Sequence, residues 1–403
     1  MYVGGAWGKG QKAACAAVLG TAIGLAACSL NFCGATAWAA QPVAVSAPGA
    51  SEVPRSREAD DAARFLAGLP SRPGSAFAPL EETPAWQEHR RKADEAWRGA
   101  EKGFVSGLRT FGETTLKPGI DPARRVFYPF GGPDALTAVS FFPDASDYVL
   151  VALEPPGTVP TAAQVEKKDL NLFLDAVRQS MASVLGRSFF VTREMDKEFR
   201  GQLADGLLPP ILFLLARTDH QIVGWRYVRV DESGRVVPWL AEALPGTRFP
   251  NKGVEIEMLG KGRMQRLFYF SANLADDHLA KNTGFQTFIT GLGTVRTLLK
   301  ATSYMTHHPE FSIIRNDILA QSEEIAQDDS GIPYRYFDSS VWRVRLFGNY
   351  EKPYGSFRFL EQPALRQAYQ TSAEPLPFRI GYGFHKAPSN LQVARRVGAG
   401  QSH

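Results

Sequence analysis

The chain has 403 residues, 44% hydrophobic and 21% charged, a balance too apolar for a disordered polymer and too mixed for a polytopic membrane protein. Its 45 basic and 41 acidic residues leave a net charge of +4, which supplies no electrostatic drive towards nucleic acid. All three cysteines, Cys15, Cys28 and Cys33, precede residue 40, so the body beyond cannot build an internal disulfide, a thiolate metal site or a cysteine nucleophile.

Lys9 and Lys12 precede an uncharged apolar run over 13–27, the n-region and h-region of a secretory signal. A membrane anchor would need a longer run and a basic flank, whereas Ser29 and Asn31 follow and no further positive charge comes before Arg55. Two cleavage sites fit. Leu25-Ala26-Ala27-Cys28 resembles the lipobox of bacterial lipoproteins, giving a signal over 1–27 and a lipid on Cys28. Ala37-Trp38-Ala39 fits the ordinary signal peptidase, giving a signal over 1–39. Both routes place the mature protein outside the cytoplasm, in the periplasm or held to a membrane through the Cys28 lipid.

Residues 40–57 are rich in Pro, Ala and Ser and read as a linker. Over 58–120 the pattern predicts a helical N-terminal layer. Ala62, Phe65, Leu66 and Leu69 make a short apolar face, and a longer helix starts at the cap Thr83-Pro84 and runs to Phe111. Gly99, Gly103 and Gly107 share one stripe of that helix, and the cost of each glycine there, about 1 kcal/mol, predicts close packing against another backbone.

Over 121–385 the pattern is that of an α/β domain with a mixed, partly parallel, Rossmann-like sheet and flanking helices. Val126–Phe130 reads as a strand, Asp134–Phe142 as a helix and Tyr148–Leu153 as a second strand, together a βαβ unit. Leu170, Phe173, Leu174, Val177, Met181, Val184 and Leu185 mark the next helix, ended by Gly186. Strands are expected at 188–191, 211–215 and 222–230, and as a hairpin at 254–259 and 264–270. A helix is expected over 311–326 and a second hairpin from 334–337 and 341–347. Residues 386–403 read as a disordered basic tail.

Two constellations could carry chemistry. In the first, the turn Gly131-Gly132-Pro133-Asp134 after one strand is followed by Glu154 at the end of the next, 22 positions beyond Gly132. Such a glycine turn lets a ligand approach backbone, and the acid takes ribose hydroxyls. Gly131, Gly132, Asp134 and Glu154 are therefore the candidate ligand residues. Over these roughly 30 residues the chain resembles class I methyltransferases, with Gly-Gly-Pro in place of G-x-G-x-G, and Pro133 lacks an N–H that a phosphate cradle would use. In the second, Lys300, Ser303, Tyr304, His307, His308, Glu310, Arg315, Asp328, Asp329 and Ser330 crowd one span. His307, Asp328 and Asp329 are its candidate catalytic residues. The alternative for Asp328 is a turn cap through Ser330 and Gly331. Neither span has metal-ligand spacing, so no metal is expected, and export argues against a cytosolic cofactor.

Ala63-Arg64-Phe65-Leu66-Ala67-Gly68, the Phe127–Asp134 turn, and Gln327-Asp328-Asp329-Ser330-Gly331-Ile332-Pro333 with Leu376–Tyr382 resemble a group of uncharacterised exported bacterial proteins across nearly the whole mature chain. That resemblance implies export and one shared architecture, and no activity. The function expected first is non-catalytic binding of a small molecule or an envelope protein on the Rossmann-like scaffold. The alternatives are a cofactor-independent hydrolase using His307 with Asp328 or Asp329, and third a methyltransferase-like enzyme.

Overall fold

The computed structural model describes residues 53–190, 206–239, 251–302, 304–386 and 389–398. The leader, both cleavage sites, Cys28 and most of the linker lie outside the described residues, as does Val191 of the strand expected at 188–191. No described helix is long and apolar enough to cross a membrane.

The described strands form one mixed sheet of ten: β1 (Val126–Pro129), β2 (Asp147–Ala152), β3 (Gln221–Val230), β4 (Val236–Pro238), β5 (Lys252–Gly260), β6 (Arg263–Ser271), β7 (Val295–Leu299), β8 (Ser322–Gln327), β9 (Trp342–Gly348) and β10 (Asn390–Arg396). Their order is β4-β3-β5-β6-β2-β1-β7-β8-β10-β9. The central run β6-β2-β1-β7-β8 is parallel throughout. Taken in chain order those strands stand 3-2-1-4-5, the doubly-wound arrangement, whose order reverses between β1 and β7. The remaining pairings, β3 with β4 and β5, β5 with β6, and β10 with β8 and β9, are antiparallel.

Alternation along the central strands feeds two cores. Val126, Tyr128, Tyr148 and Leu150 join one, and Phe127, Val149 and Val151 the other. On the first face lie α1 (Arg57–Leu66), α2 (Pro84–Ala100), α3 (Ala135–Phe141), α4 (Leu170–Arg187) and α5 (Leu208–Arg217); on the second lie α6 (Thr283–Thr290) and α7 (Ser312–Gln321). The helical N-terminal layer is thus one face of the sandwich, with α1 against α5 and α2 against α4. The Thr83 hydroxyl accepts from Trp86 N at 3.3 Å, the cap its sequence announces.

Five expectations need correction. Residues 211–215 are helical, inside α5, because Pro209 and Pro210 sit in its first turn where their missing N–H groups cost nothing. Residues 188–190 form no strand: the helix α4 passes through Gly186, and Ser188 ends it in the left-handed conformation. The helix expected over 311–326 stops at Gln321, and the rest is the buried strand β8. Tyr334–Tyr336 is a 3-10 turn, so β9 pairs with β10 and not with it. Within the expected tail, Asn390–Arg396 is β10, seated between β8 and β9 with Leu391 and Val393 buried.

The glycine stripe also divides. After α2 the helix continues through a π segment at Glu101–Val105, an α segment at Ser106–Phe111 and a second π segment at Gly112–Leu116. A wider turn inserts a residue and rotates the face that follows. Gly99 and Gly103 therefore face open space, while a Cβ on Gly107 would lie 2.6 Å from the Phe378 Cβ and one on Gly112 2.6 Å from the Phe141 carbonyl oxygen. Gly103→Ala should raise the melting temperature through a gain of about 0.5–1 kcal/mol. Gly107→Ala should lower it, since overpacking costs about 1–3 kcal/mol. Thermal melts of the two variants check the pair.

Candidate functional site

The carboxyl ends of β1 and β7 meet where the strand order reverses, the place where open α/β sheets form a ligand crevice. A cavity of about 180 Å³ opens there. Gly132, Asp134, Glu154, Phe190, Lys300 and Tyr382 are among its lining residues. The chain leaves β1 through Phe130 and Gly132, both with positive φ (62° and 57°). Gly132 has open space where a Cβ would be, so it gives a ligand access to backbone. Gly131 does not: a Cβ there would sit 2.6 Å from the Tyr128 ring, so this glycine serves packing.

Asp134 caps α3, its Oδ1 accepting from the Thr137 amide at 3.2 Å and the Thr137 hydroxyl at 3.0 Å. Its Oδ2 accepts from Tyr128 OH at 2.9 Å and pairs with Lys300 Nζ at 2.6 Å. Lys300 also donates to the Thr137 hydroxyl at 2.7 Å and to the Ser188 carbonyl. Asp134 and Lys300 are 2% and 3% exposed, and their charges are spent on each other. Burial and the Asp134 carboxylate push the Tyr128 phenol well above its ordinary range, so it stays a donor.

This network decides what the crevice can hold. Asp134 fills the start of α3 with a carboxylate and Pro133 offers no N–H, so a dinucleotide pyrophosphate does not fit. An opening of about 180 Å³ is also smaller than the roughly 300 Å³ at which cofactor-sized pockets begin. Glu154 is different. It stands half-buried just past β2, and its carboxylate has no hydrogen-bond partner among the described residues.

In the second constellation the side chains take separate partners. Asp328, 3% exposed, accepts on Oδ2 from Ala301 N at 2.9 Å and on Oδ1 from Ser330 N at 3.0 Å and the Ser330 hydroxyl. Gly331 N donates to the Asp328 carbonyl at 3.1 Å, so this aspartate builds the turn after β8. Gly381 presses on it, since a Cβ there would end 2.4 Å from its Oδ2. His307 packs edge-on against Tyr304 at 5.1 Å between ring centroids; its ring meets the backbone of Gly331 and Asp329, and no hydrogen bond joins it to the carboxylate of Asp328 or Asp329 among the described residues. Burial drives its pKa down to about 4, leaving a neutral imidazole. Ser303 lies outside the described residues.

Asp329 points elsewhere, into a cavity of about 440 Å³ that it lines with Tyr350, Tyr354, Arg358, Tyr382 and Asn390. Tyr304 OH donates to its Oδ2 at 2.6 Å and Asn390 Nδ2 to its Oδ1 at 2.8 Å. Burial and the adjacent Asp328 carboxylate push its pKa up to about 7. Tyr382 lines both cavities and donates to the Ala301 carbonyl at 3.2 Å. Gly131, Gly132, Asp134 and Glu154 thus share one cavity, Asp329 lines the next, and His307 and Asp328 line neither. Among the described residues no group of three or more His, Cys, Asp or Glu is placed to hold a metal ion.

Tyr382 and Asn390 went unnoticed in the sequence as site residues. The signal for Asn390 was the alternation of Leu391 and Val393 beside it, which marks a strand whose first residue reaches the sheet's carboxyl edge. Comparison with known protein families, with curated proteins and with solved structures finds no match.

Proposed function

We propose that this chain is an exported binding protein of the bacterial envelope that holds a small, neutral, hydroxyl-bearing ligand in the crevice between Gly132 and Glu154 without transforming it. The observation that carries the reading is the uncommitted Glu154 carboxylate in a cavity that the open Gly132 also lines. An acid at that strand end is the group that accepts from vicinal hydroxyls in doubly-wound folds. Around it Asp134, Lys300 and Tyr128 are bonded to one another, which leaves Glu154 without a partner acid or base for catalysis.

A methyl-transfer reading has one observation in its favour. The reversed β10 between β8 and β9, following a 3-2-1-4-5 run, resembles the sheet of class I methyltransferases. The cavity size and the Tyr128 ring over Gly131 weigh against it.

Calorimetric titration of the purified protein with neutral pentoses and hexoses tests the proposal. Glu154→Gln should weaken the best of these about 10- to 100-fold, the effect of one charge-assisted hydrogen bond, with an unchanged melting temperature. A lower melting temperature with unaltered sugar binding would make Glu154 structural. A saturable thermal shift with S-adenosylmethionine would favour the enzyme.

A further inference from the structure

The larger cavity poses a charge problem that the first site does not. Three carboxylates, Asp134, Asp328 and Asp329, are buried at the carboxyl edge of the sheet, with exposures of 2%, 3% and 8%. Lys300 is the buried cation bonded among them, and it is paired with Asp134. The side-chain partners of Asp329, Tyr304 and Asn390, are neutral, and its sequence neighbour is another carboxylate. A buried charge is ordinarily matched by an opposite one. Asp329 has no such match among the described residues, and it borders a cavity of about 440 Å³, within the range of small-molecule sites.

The other lining groups suit a cation. Tyr350, Tyr354 and Tyr382 border the same space, and aromatic faces attract ammonium groups. The Tyr354 and Tyr382 rings lie nearly parallel, 14° apart at 6.3 Å between centroids. A carboxylate carries about four acceptor positions and Asp329 uses two on Tyr304 and Asn390, so both oxygens can accept again. We propose that this cavity is a second binding site, for a small organic ammonium ion held by the Asp329 carboxylate and the tyrosine faces. Glu351, Lys352 and Arg358, which also line the cavity, are exposed to solvent, and their charges are screened there. The raised pKa of Asp329 has the same origin: a carboxyl out of water with no cation beside it.

The probe is choline, set against its uncharged carbon isostere 3,3-dimethylbutan-1-ol, titrated calorimetrically into the full chain at pH 8. Choline should bind at least tenfold more tightly than the isostere. Asp329→Asn, nearly the same shape without the charge, should abolish that preference. Tyr354→Ala, at a side chain 37% exposed, should weaken choline severalfold with the melting temperature unmoved, and it decides the matter if the Asp329→Asn variant folds poorly. Glu154→Gln should leave choline binding unchanged, which separates this site from the first. Equal affinity for choline and isostere, no binding of choline at millimolar concentration, or full retention of the preference in Asp329→Asn would each overturn the proposal.

Discussion

Lys300→Met is expected to destabilise the fold by about 3–5 kcal/mol, the cost of stranding a buried carboxylate. The ammonium group lies 2.6 Å from Asp134 Oδ2, with both residues almost wholly out of water. Removing it leaves the Asp134 charge with the hydrogen bonds of Tyr128 and Thr137 and no cation. Asp134→Asn on the Lys300→Met background should recover a large part of the loss, because asparagine still caps α3 while shedding the charge. Urea unfolding of the two single variants and the double variant measures the coupling. A double variant as unstable as the sum of the singles would show that the pair is not the source of the stability. The same cycle bears on function, since this pair closes the start of α3 to phosphate-bearing ligands.

The parts of the fold that were legible in the sequence are those whose burial is apolar. β1, α3 and β2 alternate or run apolar in the ordinary way, and the β5–β6 hairpin brackets a Gly-Lys-Gly turn. β8 reads Ser-Glu-Glu-Ile-Ala-Gln, yet all six residues are buried. Glu324 is tolerated there because Arg296 and Arg395 both reach it at 2.6 Å, and Glu323 meets Arg124 at 3.0 Å. Those partners come from β7, from β10 and from the segment before β1, far away in sequence, so no local pattern announces them. β10 hides for the same reason: Arg395 and Arg396 look like a basic tail, and only the fold supplies Glu324 and the carbonyls of Leu319, Ala320 and Ser322 that hold them. α5 was ambiguous in a different way, since a continuous apolar run has no period and only the two prolines at its start speak for helix. At the site, Gly132 and Glu154 were recognisable because one strand–turn–helix unit carries the turn and leads to the acid. The spending of Asp134 on Lys300, and the engagement of both aspartate carboxylates by groups other than His307, depend on β7 and β8 lying side by side, which β8's charged sequence concealed.

Buried neutral histidines give the second large effect, and it depends on pH. His89 is 0% exposed. Arg178 Nη1 donates to its Nδ1 at 3.1 Å, so the proton sits on Nε2, which donates to the Leu66 carbonyl at 2.9 Å. Burial, with Arg178 close by, pulls its pKa down to about 4 from the ordinary 6.5. Below pH 6.5 the unfolded chain therefore binds a proton that the folded chain refuses. The contribution is complete above pH 6.5 and is lost progressively as the pH falls towards 4. Glutamine can donate to the Leu66 carbonyl and accept from Arg178 without titrating. Acidification from pH 7.5 to 4.5 should then cost the native protein about 2–3 kcal/mol more than the His89→Gln variant, at roughly 1.4 kcal/mol per pH unit. Asp329 runs the other way. Its pKa, raised to about 7 in the fold from 3.8, means that its contribution is complete below pH 3.8 and is lost as the pH rises towards 7. Asp329→Asn should accordingly gain on the native protein as the pH is raised from 5 to 8, the opposite trend to His89→Gln. Urea unfolding across pH 4.5 to 8 separates the two slopes; a His89→Gln curve parallel to that of the native protein would mean that His89 takes up its proton as readily in the fold as in the unfolded chain, and that its contact with Arg178 is wrongly assigned.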